Sequence, residues 1–182
     1  MGAPLTLSWP SAPSADLTTL VHHIVTLVGE DGGSTPWPVT PEFGSVHEWL
    51  YRLTTAVVQG DAALCVASVG GTPKAVSAWR RSAGVGRSTA ARAEMTQVMA
   101  LPDPDQGLAA AVATAVIASA RGAGVDVLQI GVRPDDEAGQ EIYTALGFVV
   151  TGDKAMARSL DDPRRPDVRM LLKVGTPGGQ QI

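Results

Sequence analysis

Residues 92–148 of the chain read RAEMTQVMALPDPDQGLAAAVATAVIASARGAGVDVLQIGVRPDDEAGQEIYTALGF. Helical spacing of apolar residues and the placement of proline and glycine divide this stretch into a strand, a glycine-bearing turn, a long helix, a strand and a second helix. The strand that follows the long helix is almost continuously apolar, which is typical of a strand buried inside a sheet. The stretch ends on Tyr-x-x-x-Gly-Phe at residues 143–148. This order of elements predicts an α/β domain.

The segments on either side of this stretch supply further helices and strands. Helical spacing predicts one helix over residues 16–29 and another that starts at an N-cap on Ser45, with Glu48 completing a capping box. The remaining predicted strands cover residues 5–9, 62–69, 74–81, 90–101, 148–151 and 168–174. No domain boundary interrupts the pattern. Residues 1–174 are therefore predicted to form a single domain, and residues 175–182 a flexible tail.

Composition limits the class of protein. A chain of 182 residues with 45% hydrophobic content suits one domain with a sizeable core. The net charge of -4 argues against a nucleic-acid partner, which requires a basic face. The single cysteine, Cys65, fits a reducing cytoplasm, and no apolar stretch reaches the length of a membrane span. The oligomeric state stays open, with a homodimer as one option.

Over about residues 90–151 the pattern resembles the GNAT superfamily, the acyl-CoA-dependent N-acyltransferases. The resemblance implies a mixed, mostly antiparallel sheet that is split in the middle and flanked by helices. It also implies acetyl-CoA or another acyl-CoA as cosubstrate, with the pantetheine arm in the split, and a small-molecule amine as acceptor. No His, Cys, Asp or Glu spacing in the sequence resembles a zinc site, so no metal is expected.

The turn before the long helix is the predicted cofactor site. A helix N-terminus offers unpaired N–H groups and the positive end of a dipole, which together bind phosphate. The GNAT pattern at this turn is Gln/Arg-x-x-Gly-x-Gly/Ala, and the chain has Gln106, Gly107, Leu108, Ala109, Ala110 and Ala111. Gln106 and Ala111 fit the pattern, whereas Ala109 replaces the middle glycine, so the backbone approaches a pyrophosphate less closely. The alternative is an alanine-rich core helix with no ligand.

Two side chains carry the chemistry that the resemblance implies. Glu94, on the strand before the turn, stands where family members often have a carboxylate base, and its alternative is an ion pair with Arg92. Strand alternation places Glu94 on one face with Val98 and Ala100. Tyr143 matches the family tyrosine that serves as acid for the CoA thiolate, and its alternative is a packed core residue.

Backbone and helix-cap positions complete the predicted site. In the family, the donor to the developing oxyanion is a backbone N–H near the end of the third strand, which here corresponds to Val98, Met99, Ala100 and Leu101. The family often has Asn seven residues before the tyrosine and Ala four residues before it. This chain has Asp136 and Gly139 there. Asp136 is expected to cap its helix and to lie on the pantetheine side.

Two classes of function follow from these residues. The first is an N-acyltransferase in which the amine attacks the thioester directly in a ternary complex. The second is a GNAT-fold binding module that has lost acyl-CoA, which is consistent with Ala109 and the neighbouring aspartates. Glu94 and Tyr143 favour the enzyme.

Overall fold

The structure is a computed structural model, and it describes residues 3–30, 35, 40–82, 90–101, 107–151, 157–158 and 166–175. Gln106 and residues 176–182 of the predicted tail lie outside these ranges. Within the described residues the elements are, in chain order, β1 (Leu5–Ser8), α1 (Ala15–Glu30), α2 (Phe43–Val58), β2 (Ala62–Val69), β3 (Thr72–Arg81), β4 (Arg92–Met95), β5 (Met99–Ala100), α3 (Leu108–Gly122), β6 (Val127–Val132), α4 (Glu137–Ala145), β7 (Val149–Val150), β8 (Ala157–Arg158) and β9 (Pro166–Lys173).

One sheet organises the molecule. Its strand order is β1-β2-β3-β4-β6-β9-β7, with β5 also beside β3 and β8 also beside β9. The β4–β6 pair is parallel, and all the other pairs are antiparallel. The predicted mixed, mostly antiparallel sheet flanked by helices is thereby confirmed.

Each face of the sheet has its own apolar core. The first, which we call the α1/α2 core, joins buried residues of α1 and α2 to alternate residues of β2 and β3, such as Leu64 and Val76. The second, the α3/α4 core, joins α3 and Tyr143 of α4 to the opposite side of the same strands, including Cys65 and Trp79. Both cores consist mainly of Val, Leu, Ile and Ala, because the chain has few aromatic residues. Among the described residues, no helix has the length and apolarity to span a bilayer.

Helix α2 begins earlier than the sequence suggests. The N–H groups of Ser45 and Val46 donate to the Glu42 carbonyl at 3.0 and 3.2 Å, so Ser45 lies inside the first turn and the predicted capping box is wrong. The preceding residue is anchored from α1, because the His22 Nε2 atom lies 3.0 Å from the Pro41 carbonyl. This contact fixes the backbone just before the N-cap, so the helix starts ahead of Ser45.

Candidate active site

The sheet opens between β4 and β6. These strands pair in parallel from Arg92 with Val127 to Glu94 with Gln129, where the ladder ends. Beyond that point the chain continues as β5, which pairs with β3, while β6 stays paired with β9 to its last residue, Val132. The two sides of the sheet therefore diverge, and the cleft between β5 and the end of β6 is the predicted split.

A β-bulge causes this divergence. Trp79 of β3 faces Met95, and Val76 faces Met99. Ser77 and Ala78 of β3 therefore lie opposite three residues, Thr96, Gln97 and Val98. One extra residue on one strand bends that strand away from its neighbour and interrupts the ladder. The single strand predicted over residues 90–101 is thus two short strands joined by the bulge.

The bulge also changes which side chains share a face. Ala93 and Met95 pack in the α3/α4 core, and after the bulge Val98 and Ala100 pack against that same core. Glu94, which alternates with Ala93 and Met95, consequently faces α1 and α2. The predicted grouping of Glu94 with Val98 and Ala100 is wrong, because strict alternation does not hold across an inserted residue.

Two backbone N–H groups of β5 and the bulge are directed into the split. The Leu101 N–H donates to the Lys74 carbonyl at 2.8 Å, so this pair belongs to the hydrogen-bonded rungs of the β3–β5 ladder. Rungs alternate in an antiparallel pair, so the Met99 N–H also faces β3 while the Ala100 N–H faces away from it. The Val98 N–H likewise points away from β3 and meets Tyr143. Of the predicted donors, the Ala100 N–H is therefore the one that a ligand in the split can reach, and the Val98 N–H holds Tyr143.

Tyr143 reaches the split from α4. Its side chain is 3% exposed, its ring meets Phe148 edge to face at 5.6 Å, and its hydroxyl oxygen accepts the Val98 N–H at 2.8 Å. Burial raises the pKa of Tyr143 well above its ordinary range; the Val98 hydrogen bond acts in the opposite direction, and the negative charge of Asp136 adds to the rise. The phenol therefore keeps its proton at every physiological pH. Since its oxygen already accepts a hydrogen bond, that proton is available to a group in the split.

Glu94 lies at the same level on the other face of the sheet. It stands opposite Arg80 on β3 and opposite Gln129 on β6, at the last rung before the split. Its side chain is half-buried, and the Oε2 atom has no contact with solvent. The two predicted catalytic side chains thus approach the opening of the sheet from opposite faces. A group lying in the split would separate them.

The predicted cofactor turn leads into α3. Gly107 is the N-cap, and its carbonyl accepts the Ala111 N–H at 2.9 Å. Leu108 is buried in the α3/α4 core, whereas Ala109, Ala110 and Ala111 are half-buried. The N-terminus of a helix is the positive end of its dipole, so this end of α3 favours an anion.

Asp136 caps α4, as predicted. Its Oδ1 atom accepts the Gly139 N–H at 2.8 Å. A Cβ atom added to Gly139 would overlap the Asp136 carboxylate. In this chain the capping carboxylate therefore occupies the space that a methyl group on residue 139 would fill.

An open pocket of about 460 Å³ lies at this end of α4 and is lined by Arg133, Asp135, Asp136, Glu137, Ala138 and Glu141. Arg133 is held by a two-point ion pair with Asp135. Four carboxylates around one paired arginine make the pocket acidic. A phosphate group would be repelled there, so the end of α3 is the better anion site of the two.

Other candidate groups do not add to the site. Burial raises the pKa of Cys65 to about 11, so its thiol stays protonated and is a poor nucleophile. Among the described residues, no group of three His, Cys, Asp or Glu side chains is arranged to hold a metal ion. Sequence reasoning missed Ser77, a fully buried serine in an apolar run of β3. Its polarity at a core position was the available signal.

No protein-family model matches the chain, and no curated protein matches it significantly. Solved structures do match. The yncA protein from Salmonella typhimurium, solved with its cofactor acetyl-CoA, is 20% identical, with 97% of each chain covered and a TM-score of 0.66. An acetyltransferase of the GNAT family from Streptococcus pneumoniae is 12% identical, with 94% of this chain and 100% of that chain covered and a TM-score of 0.70.

A third structure has a named acceptor. The ribosomal-protein-S18-alanine N-acetyltransferase from Escherichia coli is 18% identical, with 98% of this chain and 99% of that chain covered and a TM-score of 0.60. The chain therefore has the fold of the GNAT acetyltransferases, as the sequence predicts. At these identities the likeness concerns the fold alone.

The contact between Gly139 and Asp136 predicts an unusual response to Gly139→Ala. Alanine normally stabilises a helix by about 1 kcal/mol relative to glycine. At Gly139 the added methyl group should displace the capping carboxylate, at a cost of about 0.5–2 kcal/mol. We expect the free energy of unfolding in urea to change less favourably for Gly139→Ala than for an unhindered glycine-to-alanine change in a first helical turn, by about 0.5–2 kcal/mol.

Gly44→Ala is the matched control, because Gly44 also lies in the first turn of a helix and a Cβ there meets nothing within 4 Å. It should be neutral or stabilising. In an Asp136→Ala background, the cost of Gly139→Ala should disappear. Equal changes in the free energy of unfolding for Gly139→Ala and Gly44→Ala in the wild-type background would contradict the proposed steric coupling.

Proposed function

We propose that the chain is an acyl-CoA-dependent N-acyltransferase, which transfers an acetyl group from acetyl-CoA to a primary amine of a small molecule. The observation that carries the proposal is the Tyr143 hydroxyl held against the Val98 N–H inside the split. This bond holds the acid at the place where a thioester would enter, on the side of β5 to which the Ala100 N–H points. The yncA structure, which has acetyl-CoA bound, supports acetyl-CoA as the cosubstrate.

The bound cosubstrate would lie across the opening of the sheet. Its pyrophosphate would sit at the N-terminus of α3, near Gly107, and its thioester would lie between β5 and β6. The thioester carbonyl oxygen would accept a hydrogen bond from the Ala100 N–H group, while the Val98 N–H stays on the Tyr143 hydroxyl. A donor fixed in the backbone stabilises the developing oxyanion without reorganising, which lowers the barrier.

Acyl transfer would then proceed by direct attack in a ternary complex. The amine would approach on the α1/α2 face, where Glu94 accepts its proton, and a C–N bond would form at the thioester carbon. The C–S bond would break as the sulfur takes the Tyr143 proton. The raised pKa of Tyr143 opposes a lasting phenolate, so the phenolate would take a proton back from water, and Glu94 would release the amine proton to water.

The kind of amine that accepts the acetyl group is an expectation from the sequence. The net charge of -4 favours cationic small molecules over nucleic acid. The Escherichia coli neighbour is named for an alanine of a ribosomal protein, so the fold by itself does not choose between small and protein acceptors. A cytoplasmic location and a homodimer stay predictions.

A second candidate is a GNAT-fold binding module that does not use acyl-CoA. The acidic pocket at α4 favours it, because those carboxylates lie on the side where Asp136 is expected to meet the pantetheine arm. Binding of acetyl-CoA separates the two candidates.

Acetyl-CoA should stabilise the folded protein. At a hundred times its dissociation constant, a ligand adds about 2.7 kcal/mol to the free energy of unfolding. For a domain of this size that corresponds to a rise in Tm of roughly 5–10 °C, measured by differential scanning fluorimetry. Ala109→Glu places a negative charge beside the expected pyrophosphate and should weaken binding at least tenfold, an effect of about 1.4 kcal/mol.

Ala118→Glu makes the same charge change at an exposed position in the middle of α3 and should leave acetyl-CoA binding unchanged. An unchanged Tm of the folded wild-type protein in millimolar acetyl-CoA would reject the enzyme and favour the binding module.

Tyr143→Phe tests the acid. The substitution removes the hydroxyl alone, so packing against Phe148 should survive, and the Val98 N–H loses its acceptor at a cost of about 1 kcal/mol. We expect kcat to fall about 10²–10⁴-fold while the affinity for CoA changes little. The loss should shrink with a thioester whose thiol departs without needing a proton.

Tyr51→Phe is the control, because Tyr51 is exposed on α2 and is the only other tyrosine in the sequence. It should retain full activity. Equal losses for Tyr143→Phe on both thioesters would mean that the phenol positions the substrate, and no loss would make Tyr143 a core residue only.

Glu94→Gln tests the base. If Glu94 accepts the amine proton, kcat should fall about 10²–10⁴-fold and the acid limb of the pH–rate profile should disappear, while acetyl-CoA binding is retained. Glu48→Gln removes an exposed carboxylate that lies 3.9 Å from Arg52 and should change neither quantity. A Glu94→Gln variant with a normal rate but a lower Tm would show that Glu94 is structural.

A further inference from the structure

Ser77 is a buried polar residue in the middle of β3. It is fully inaccessible to solvent, and its neighbours on the same face of the strand, Ala75 and Trp79, belong to the α3/α4 core. Its hydroxyl donates a hydrogen bond of 2.8 Å to the Thr96 carbonyl. Thr96 is the first residue of the bulge, so the serine is attached to the one irregular segment beside the split.

The bulge leaves the Thr96 carbonyl without its regular backbone donor, and the Ser77 hydroxyl replaces that donor. The Thr96 N–H donates to the Ala78 carbonyl at 2.8 Å, which is the last regular contact before the extra residue. In a regular antiparallel pair, a backbone N–H of β3 would also donate a hydrogen bond to the Thr96 carbonyl. At the bulge that carbonyl accepts from a side chain instead. This contact is partly buried, and a carbonyl shielded from water without a donor is costly, so a serine here stabilises the irregular geometry.

The contact also sets the direction of the next peptide groups. The Thr96 carbonyl and the Gln97 N–H belong to one planar peptide unit, so fixing the carbonyl fixes that plane. Only one residue separates this plane from the Val98 N–H, which donates to Tyr143 at 2.8 Å. The chain from Ser77 to Tyr143 is therefore two hydrogen bonds and two peptide units long.

We propose that Ser77 is a positioning residue, whose hydroxyl holds the bulge so that the Val98 N–H points into the split. The orientation of the Val98 amide by Ser77 does not depend on what the protein does. Its consequence for the rate rests on the proposed function, because the Tyr143 phenol that the Val98 N–H holds serves as an acid only if the chain transfers acyl groups. Ser77 does not touch the substrate.

A graded series of variants tests the orientation without any activity measurement. Ser77→Thr keeps the hydroxyl, Ser77→Cys keeps a weak donor and Ser77→Ala removes the donor. The readout is hydrogen exchange of the Val98 amide, measured by NMR on the uniformly labelled full chain. We expect exchange to be at least tenfold faster in Ser77→Ala than in the wild-type protein, with Ser77→Cys between Ser77→Ala and Ser77→Thr.

Ser119→Ala is the matched control. It removes a hydroxyl that accepts the Trp79 Nε1–H at 3.0 Å on the same side of the sheet, but it has no contact with the bulge. Val98 exchange should be unchanged in this variant relative to the wild-type protein. Equal Val98 exchange in Ser77→Ala and Ser119→Ala would overturn the proposal. If Ser77→Ala does not fold, equal exchange in Ser77→Thr and Ser77→Cys would overturn it as well.

The rate provides a separate test. If the chain acetylates amines, Ser77→Ala should lower kcat at least tenfold with little change in the KM for acetyl-CoA, and Ser77→Thr should restore it. A kcat for Ser77→Ala that matches that of Ser119→Ala would remove the catalytic part of the proposal. If the wild-type protein shows no transfer at all, the proposed function fails, and the exchange data still decide whether Ser77 orients Val98.

Discussion

The one extra residue between Met95 and Met99 determines the backbone geometry of the candidate site. Without it, β4 would continue straight beside β6, and the parallel ladder that begins at Arg92 would extend to the end of β6. The sheet would then be closed, with its N–H groups paired along that edge. With the bulge, the strand bends away from β6 and two N–H groups are left facing a cleft. The opening is thus a consequence of backbone geometry, held in place by the cores on both faces.

The environment of Tyr143 combines two opposing effects on its acidity. Burial among apolar side chains disfavours the phenolate, while the Val98 N–H would stabilise it. Burial is the larger effect, so the pKa is raised. A residue in this situation suits transient hydrogen bonding to a sulfur atom that is gaining charge, and it is unsuited to acting as a base. The same hydrogen bond keeps the ring in place, because it ties α4 to the bulge across the split.

Much of the fold could be predicted from the sequence, because the elements that hold it together have strong local patterns. The apolar run of β6, the alanine-rich α3 and the Asp136 cap of α4 are all readable from spacing and residue type. The bulge was not predictable, since Thr96, Gln97 and Val98 continue the residue types of a strand, and only the register against β3 shows the insertion. For the same reason strict alternation wrongly predicts that the side chains of Glu94 and Val98 lie on one face of the strand. The start of α2 was also misplaced, because a contact from His22 to Pro41 is a tertiary interaction that local spacing does not contain.

The departures from the family pattern affect side chains more than the backbone groups that a cosubstrate would use. Ala109 lies within α3, where its methyl group narrows the lateral approach but removes no N–H group. Asp136 accepts the Gly139 N–H and caps α4, the helix that carries Tyr143. The Val98 and Ala100 donors are backbone groups and do not depend on the identity of their side chains, and the fold is shared with solved structures at 20% identity and below. The side chains that matter most at this site are then those that orient the backbone. Ser77 and Tyr143 do so by hydrogen bonds to the two ends of the segment 96–98.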